Sequence, residues 1–232
     1  MALQDFKVLT FDVVGTLIDF ERGMFDYVRR SVPGTKVTEA ALLDAYQQAE
    51  SIVSEGSFYP NYLDKMWSVI AKTLGLPASP ALAEGFRDSV AVWPPFEDSV
   101  EVLKRLHRRC YLVAMTCSQR WALSLFERTL GFPFDDTVSS SDALCEKPDP
   151  QFFAFTRGRL STRGFQRDDV LHVAQSQYHD IAPASRLGYR TCWIERRQGK
   201  PGFGATTAVP QLVTPDYHFR SLAELADAVE AT

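Results

Sequence analysis

The hydrophobic pattern changes character along this chain. From residue 93 onward, short apolar runs alternate with stretches whose apolar positions recur every three or four residues. The runs Tyr111–Met115, Val170–Ala174 and Arg190–Ile194, with a shorter one at 137–139, read as β-strands. Residues 98–109 carry Val100, Val102, Leu103 and Leu106 at helical spacing, with Asp98 or Ser99 as the cap. Residues 121–130 read as a helix stopped by Gly131, and 150–160 as another. Residues 181–187 form a helix closed by Gly188, and 221–230 a final amphipathic one. A further apolar run, Val8-Leu9-Thr10-Phe11, stands near the N-terminus. This alternation predicts an α/β fold: a Rossmann-like, mostly parallel sheet with helices on both faces.

Residues 19–92 follow a different pattern. Apolar positions recur at helical spacing in Met24, Tyr27 and Val28, in Leu42, Leu43 and Tyr46, and in Leu63, Met66, Trp67, Ile70 and Leu74. No strand pattern stands out. The expected organisation is a catalytic core of 1–18 and 93–232 with a helical cap, 19–92, inserted after the first strand. Trp93-Pro94-Pro95-Phe96 is the expected return hinge, because proline restricts its own φ and the preceding residue. The Gly-, Pro- and Thr-rich stretch 198–211 reads as an exposed loop.

Composition narrows the function classes. The 232 residues are 45% hydrophobic and 23% charged, the profile of a soluble globular protein. The formal charge of −4 offers no basic field for nucleic acid or anionic lipid. Arg29-Arg30 and Arg108-Arg109 read as solvated helix faces. No apolar run nears the roughly 20 residues needed to span a bilayer, and the first residues lack a signal-peptide pattern. The four cysteines, Cys110, Cys117, Cys145 and Cys192, form no CxxC pair and no zinc-ligand spacing. The expectation is a reduced, cytoplasmic protein acting on a small molecule, with a homodimer as one possible assembly.

Four polar clusters follow strands or open helices. They are Asp12 with Gly15 and Thr16; Thr116-Cys117-Ser118-Gln119; Glu146-Lys147-Pro148-Asp149-Pro150; and Gln175-Ser176-Gln177-Tyr178-His179-Asp180. In open α/β sheets, ligands bind beyond the carboxyl ends of strands. Each residue alone also has a structural use: Asp12 and Asp180 as caps, Thr116 or Ser118 as an N-cap, Lys147 as a solvated side chain. Taken together, an acid, a hydroxyl, a lysine and a second acid at successive element ends point to one catalytic crevice. His179 has two readings, a general base or a ring oriented by its neighbours at a helix start. His172 belongs in or beside a strand, and His107 and His218 at the surface.

The order Asp12, Thr116, Lys147-Pro148, Asp180 resembles the haloacid dehalogenase superfamily, over essentially the whole chain, with the helical insert at that superfamily's cap position. Phosphatases of the superfamily carry a second Asp two residues after the nucleophile, as the acid that protonates the leaving group. Here that position is Val14. An alkoxide leaving group needs such an acid, whereas a halide departs as a stable anion. The first motif is therefore closest to the L-2-haloacid dehalogenase (type II) branch. The resemblance implies a hydrolase acting through an aspartyl ester on Asp12, with hydrolytic dehalogenation of a small 2-haloacid as the leading reaction. In this scheme Lys147 holds the Asp12 carboxylate, Asp180 pairs with Lys147, and Thr16 and Thr116 donate hydrogen bonds. Val13, Val14, Cys117, Gln47, Gln177 and His179 are the expected substrate contacts. The alternatives are a Mg²⁺-dependent phosphatase whose general acid has moved, with His179 as one candidate, and a non-catalytic relative. No cofactor or metal is expected, since a Mg²⁺ site usually draws on more carboxylate oxygen than Asp12 and Asp180 supply.

The substrate-reading positions depart from that branch. Cys117 stands in place of an Asn, and Phe153 in place of a Tyr. Residues 44–48 lack the Arg that receives the halide, leaving Gln47 or Gln48 to donate there. Gln175 and Gln177 replace a Ser and an Asn.

Overall fold

The computed structural model describes residues 2–53 and 57–231. Six strands form one sheet: β1 (Val8–Phe11), β2 (Tyr111–Met115), β3 (Asp136–Val138), β4 (Val170–Ala174), β5 (Arg190–Ile194) and β6 (Tyr217–Phe219). The spatial order is β3-β2-β1-β4-β5-β6, and every pairing is parallel. β1 is central, flanked by β2 and β4, so the chain reverses direction across the sheet at β1 and opens a crevice at its carboxyl end.

Strand periodicity sorts the side chains onto two buried faces. Leu9, Phe11, Leu112, Ala114, Leu171, Val173, Cys192 and Ile194 join one core cluster. Helices α5 (Ser99–His107), α6 (Arg120–Leu130) and α10 (Leu222–Glu230) pack there, through residues such as Leu103, Phe126 and Leu225. Val8, Val113, Met115 and Val170 join a second cluster with Phe152, Phe153 and Leu160 of α8 (Pro150–Thr162) and Ala184 of α9 (Ala182–Arg186). Helices therefore cover both faces.

Among the described residues, 20–53 and 57–92 are helical wherever they are regular. They contain α1 (Phe20–Ser31), α2 (Glu39–Val53), α3 (Leu63–Leu74) and α4 (Pro80–Asp88). Their apolar stripes merge with the first cluster through Tyr27, Tyr46, Trp67, Phe86 and Trp93. Gly23 is required in α1, because a Cβ there would lie 2.2 Å from the Trp93 ring. The return segment pairs with the outgoing one: Phe96 N–H donates to Leu17 O (3.0 Å), and Asp19 N–H to Pro94 O (2.8 Å).

Some local expectations shift. The third strand is 136–138, and Ser139 instead caps the short α7 (Ser140–Ala143). Asp98 precedes α5 without capping it. Its carboxylate grips Arg196 (2.8 and 3.0 Å) and the Leu222 N–H at the start of α10 (2.9 Å). The helix expected at 181–187 begins earlier, as a π-helical turn over Gln177–Ile181. The short β6 carried no distinct sequence pattern.

The 198–211 loop is exposed only in part. Ala205 is buried. Its N–H donates to Glu21 Oε1 (2.9 Å), and Gln47 Nε2 binds the carbonyls of Gly204 and Thr206. Polar side chains from the helical insert thus fold the loop inward, which composition alone does not reveal. Among the described residues, no helix is long and apolar enough to cross a membrane.

Candidate active site

β1 ends at Phe11 and delivers Asp12 to the crevice. The Asp12 N–H still pairs with Val173 O of β4 (3.1 Å), so the strand ladder sets where the carboxylate begins. Gly15 turns the chain at φ +91°, a conformation costly for any side chain. Val13 O then accepts the N–H groups of Leu17 and Ile18 (2.8 and 2.9 Å). This turn brings Thr16 back over Asp12.

Both Asp12 oxygens are held. Thr16 Oγ1 donates to Oδ2 (2.7 Å), and Lys147 Nζ donates to Oδ1 (2.9 Å). Thr16 also accepts the Gln175 N–H (2.9 Å), which directs its own proton toward Asp12. Lys147 is fully buried, and its ammonium has three acceptors for three protons: Asp12 Oδ1, Met115 O (2.8 Å) and Asp180 Oδ1 (2.5 Å). A buried ammonium so satisfied stays charged. Burial opposes this, but the attraction of Asp12 and Asp180 outweighs it and raises the lysine pKa.

Asp180 is the second counter-ion. Its Oδ1 also receives His172 Nε2 (3.0 Å), while His172 Nδ1 faces Thr10 Oγ1 (2.8 Å). A carboxylate only accepts, so Nε2 carries the proton. Thr10 and His172 are register partners on adjacent strands, and Phe153 packs edge-on against the imidazole (5.8 Å). Burial alone would raise the Asp180 pKa, but Lys147 and His172 pull it down to about 2. Asp12 moves the other way: burial raises its pKa, the Asp180 charge adds to this, and Lys147 and Thr16 offset only part. Asp180 Oδ2 is buried with no hydrogen-bond partner among the described residues.

The crevice opens into a cavity of about 610 Å³, mouth included. Of the residues expected here, Asp12, Val14, Thr116, Cys117, His179 and Asp180 line it. Thr116 accepts the Ser118 N–H (3.1 Å) rather than bonding Asp12. Burial raises the Cys117 thiol pKa well above its usual value, so Cys117 is a neutral wall and no rival nucleophile. His179 is anchored to Ser176 through its N–H (3.0 Å) and Nδ1 (3.2 Å), and burial lowers its pKa to about 4. It is neutral at physiological pH.

Three expected contacts lie elsewhere. Gln47 is spent on the carbonyls of Gly204 and Thr206. Gln177 clamps both backbone groups of Val213 (3.1 and 3.3 Å). Val13 is buried core and contributes its carbonyl to the turn. The cavity walls also include Glu146 of the third polar cluster and residues that motif reading missed: Phe20, Tyr46, Glu50, Tyr59, Tyr62 and Thr206. Helical spacing marked Tyr46 only as core. The insert is pinned to the crevice by Tyr59 N–H to Glu146 Oε1 (2.6 Å), Gln119 N–H to Tyr59 O (2.8 Å) and Trp121 Nε1 to Asn61 Oδ1 (2.9 Å).

Lys147 bridges the facing oxygens of the two aspartates, and Thr16 holds a third. Among the described residues, no three His, Cys, Asp or Glu side chains converge as ligands. Mg²⁺ demands near-octahedral oxygen coordination.

A family model described as haloacid dehalogenase-like hydrolase matches residues 6–188. An (S)-2-haloacid dehalogenase of Pseudomonas fluorescens is 26% identical over 159 residues, 66% of this chain and 64% of that protein. This chain therefore spans less than two thirds of that relative's length. The rhythmically expressed gene 2 protein of Drosophila melanogaster is 24% identical over 84% of this chain and 85% of its own. Among solved structures, the putative HAD-hydrolase YfnB from Bacillus subtilis, bound to magnesium, superposes with a TM-score of 0.78 at 21% identity, covering 97% of this chain and 99% of its own. The L-2-haloacid dehalogenase from Xanthobacter autotrophicus gives 0.74 at 20%, covering 98% and 99%. These likenesses establish the fold.

Proposed function

The chain belongs to the haloacid dehalogenase-like hydrolases, and from that premise we propose that it hydrolyses a bond at carbon through an ester on Asp12, with small 2-haloacids as the substrate class. One observation carries this reading. Asp12 is gripped by Lys147 and Thr16 at the mouth of a cavity whose wall at the next-but-one position is Val14, a side chain with no proton to give.

In the first step an Asp12 oxygen attacks the carbon bearing the leaving group. The new C–O bond forms as the old bond breaks, and the leaving group departs with its electron pair as an anion. Lys147 and Thr16 keep the carboxylate ionised and aimed, a positioning effect that lowers the entropic part of the barrier. In the second step water attacks the Asp12 carbonyl carbon. Asp180, on the cavity wall beside Asp12, is the second acid and the one assigned to orient this water. One water proton ends on the departing alcohol oxygen and the other in solvent, and Asp12 is restored. No step needs a metal, because Lys147 supplies the counter-charge.

The test is halide release from small 2-chloro, 2-bromo and 2-fluoro acids, run beside phosphate release from a phosphomonoester panel with Mg²⁺ and with EDTA. The expected result is halide release that EDTA leaves unchanged. Phosphate release strictly dependent on Mg²⁺, with no halide released, overturns the proposal.

A further inference from the structure

The far wall of the cavity carries more negative charge than the chemistry at Asp12 uses. Tyr46 and Glu50 lie one helical turn apart on α2 and so share a face. Tyr59, Tyr62 and Glu146 complete this wall. Four carboxylates line the cavity, those of Asp12, Asp180, Glu50 and Glu146, and no lysine or arginine among the described residues joins them. Lys147 lies beneath, its three protons already committed. His179 is uncharged.

Glu50 and Glu146 make no ion pair among the described residues, and burial raises the pKa of each to about 7. The Glu146 charge adds to the shift on Glu50. Half-buried carboxylates without a cation are costly unless a partner arrives. A separate observation points to a ligand. Tyr59 is more than nine-tenths buried, and among the described residues its hydroxyl has only that of Tyr46 beside it, outside full hydrogen-bond geometry. Tyr59 and Tyr62 rings meet edge-on at 5.9 Å, offering aromatic surface beside the two acids. Carboxylates flanked by tyrosine rings and an unfilled hydroxyl match a small organic cation, which gains from charge, hydrogen bonding and the ring quadrupoles together.

We propose that this wall is a subsite for an ammonium group, seated between Glu50 and Glu146 and faced by Tyr46, Tyr59 and Tyr62, so that the substrate carries an amine on the side away from its reacting carbon. The proposal rests on the reading of the Asp12 crevice as the substrate site. It narrows the electrophile to a cationic or zwitterionic one. A simple halocarboxylate would find no cationic side chain on the cavity wall and would depend on neutral donors such as Gln175, Ser176 and Thr206.

The test uses probes without a leaving group: n-propylammonium, propionate and 1-propanol, titrated at neutral pH into the full-length protein by ligand-observed NMR. Propylammonium is expected to bind at least about tenfold more tightly than either neighbour, a difference of about 1.4 kcal/mol. The E50Q/E146Q double variant, whose amide oxygen still accepts the Tyr59 N–H, should bind all three within about twofold. Asp12→Asn should keep the ammonium preference while losing turnover. Equal or tighter binding of propionate, no measurable binding of propylammonium, or an ammonium preference that survives in E50Q/E146Q overturns the proposal. Halide release without any ammonium preference would sink this subsite and leave the role of Asp12 standing.

Discussion

The two sides of the cavity differ in how their charges are treated. On the sheet side, every charge is paired: Lys147 satisfies Asp12 and Asp180, and His172 and Thr10 back them through a buried hydrogen-bond chain. On the far side, Glu50 of the inserted helices and Glu146 of the core stand among tyrosines with no cation beside them among the described residues. The paired side has its electrostatics completed within the fold, so it is preorganised for one chemistry. The other side meets hydrogen-bond donors but no cation among the described residues, and the proposed ammonium group would complete it. Under the proposed function, the strand ends set the reaction type and the wall around Glu50 and Glu146 sets substrate choice.

Substitutions on the two sides should separate these roles. The largest effect falls on the sheet side. Asp12→Asn should lower kcat by at least about 10⁴-fold with the fold unchanged by circular dichroism, because charge is lost while volume is kept. Next, Lys147→Met should abolish turnover and also destabilise the protein by about 3–5 kcal/mol in denaturant unfolding, since it leaves two buried carboxylates facing each other.

On the far side the sign reverses. The folded-state pKa values of Glu50 and Glu146, about 7, lie above the ordinary 4.5. Folding is thus unpenalised below pH 4.5, and stability is lost as pH rises through 7. Glu50→Gln and Glu146→Gln together should raise the unfolding free energy by about 1–3 kcal/mol at pH 8 and by nothing measurable near pH 4. Equal gains at both pH values would remove the buried-acid account of this wall. The smallest effect is expected at Gln47, which ties a loop and stays out of the cavity. Gln47→Ala should change kcat/KM by about twofold at most, a shift worth about 0.4 kcal/mol, while faster amide exchange appears around Gly204.

The same division governed what could be read from the sequence. Asp12, Thr16, Lys147 and Asp180 were legible because strand ends in a parallel sheet converge, and because the order of acid, hydroxyl, lysine and acid resembles that of the haloacid dehalogenase superfamily. His172 was placed in a strand but its role was not, since a histidine inside an apolar run shows no spacing that reveals what lies opposite. The helical wall was harder. Tyr46 and Tyr62 carry the same period as core residues, and Glu50 the same as a solvated face. Only the fold of residues 57–62 onto Glu146 and Gln119 turns them toward the crevice. Gln47 and Gln177 were expected at substrate because amides are good donors. Nearby backbone carbonyls and N–H groups of the 204–213 loop claim them first.

The most direct trial of the central claim is isotopic. A single turnover in ¹⁸O water, with enzyme in excess over a substrate found in the halide panel, should give unlabelled product oxygen and place the label on the Asp12 peptide by mass spectrometry. Label in the product with none on Asp12 would mean that water attacks the substrate directly, and the aspartyl-ester account would be wrong.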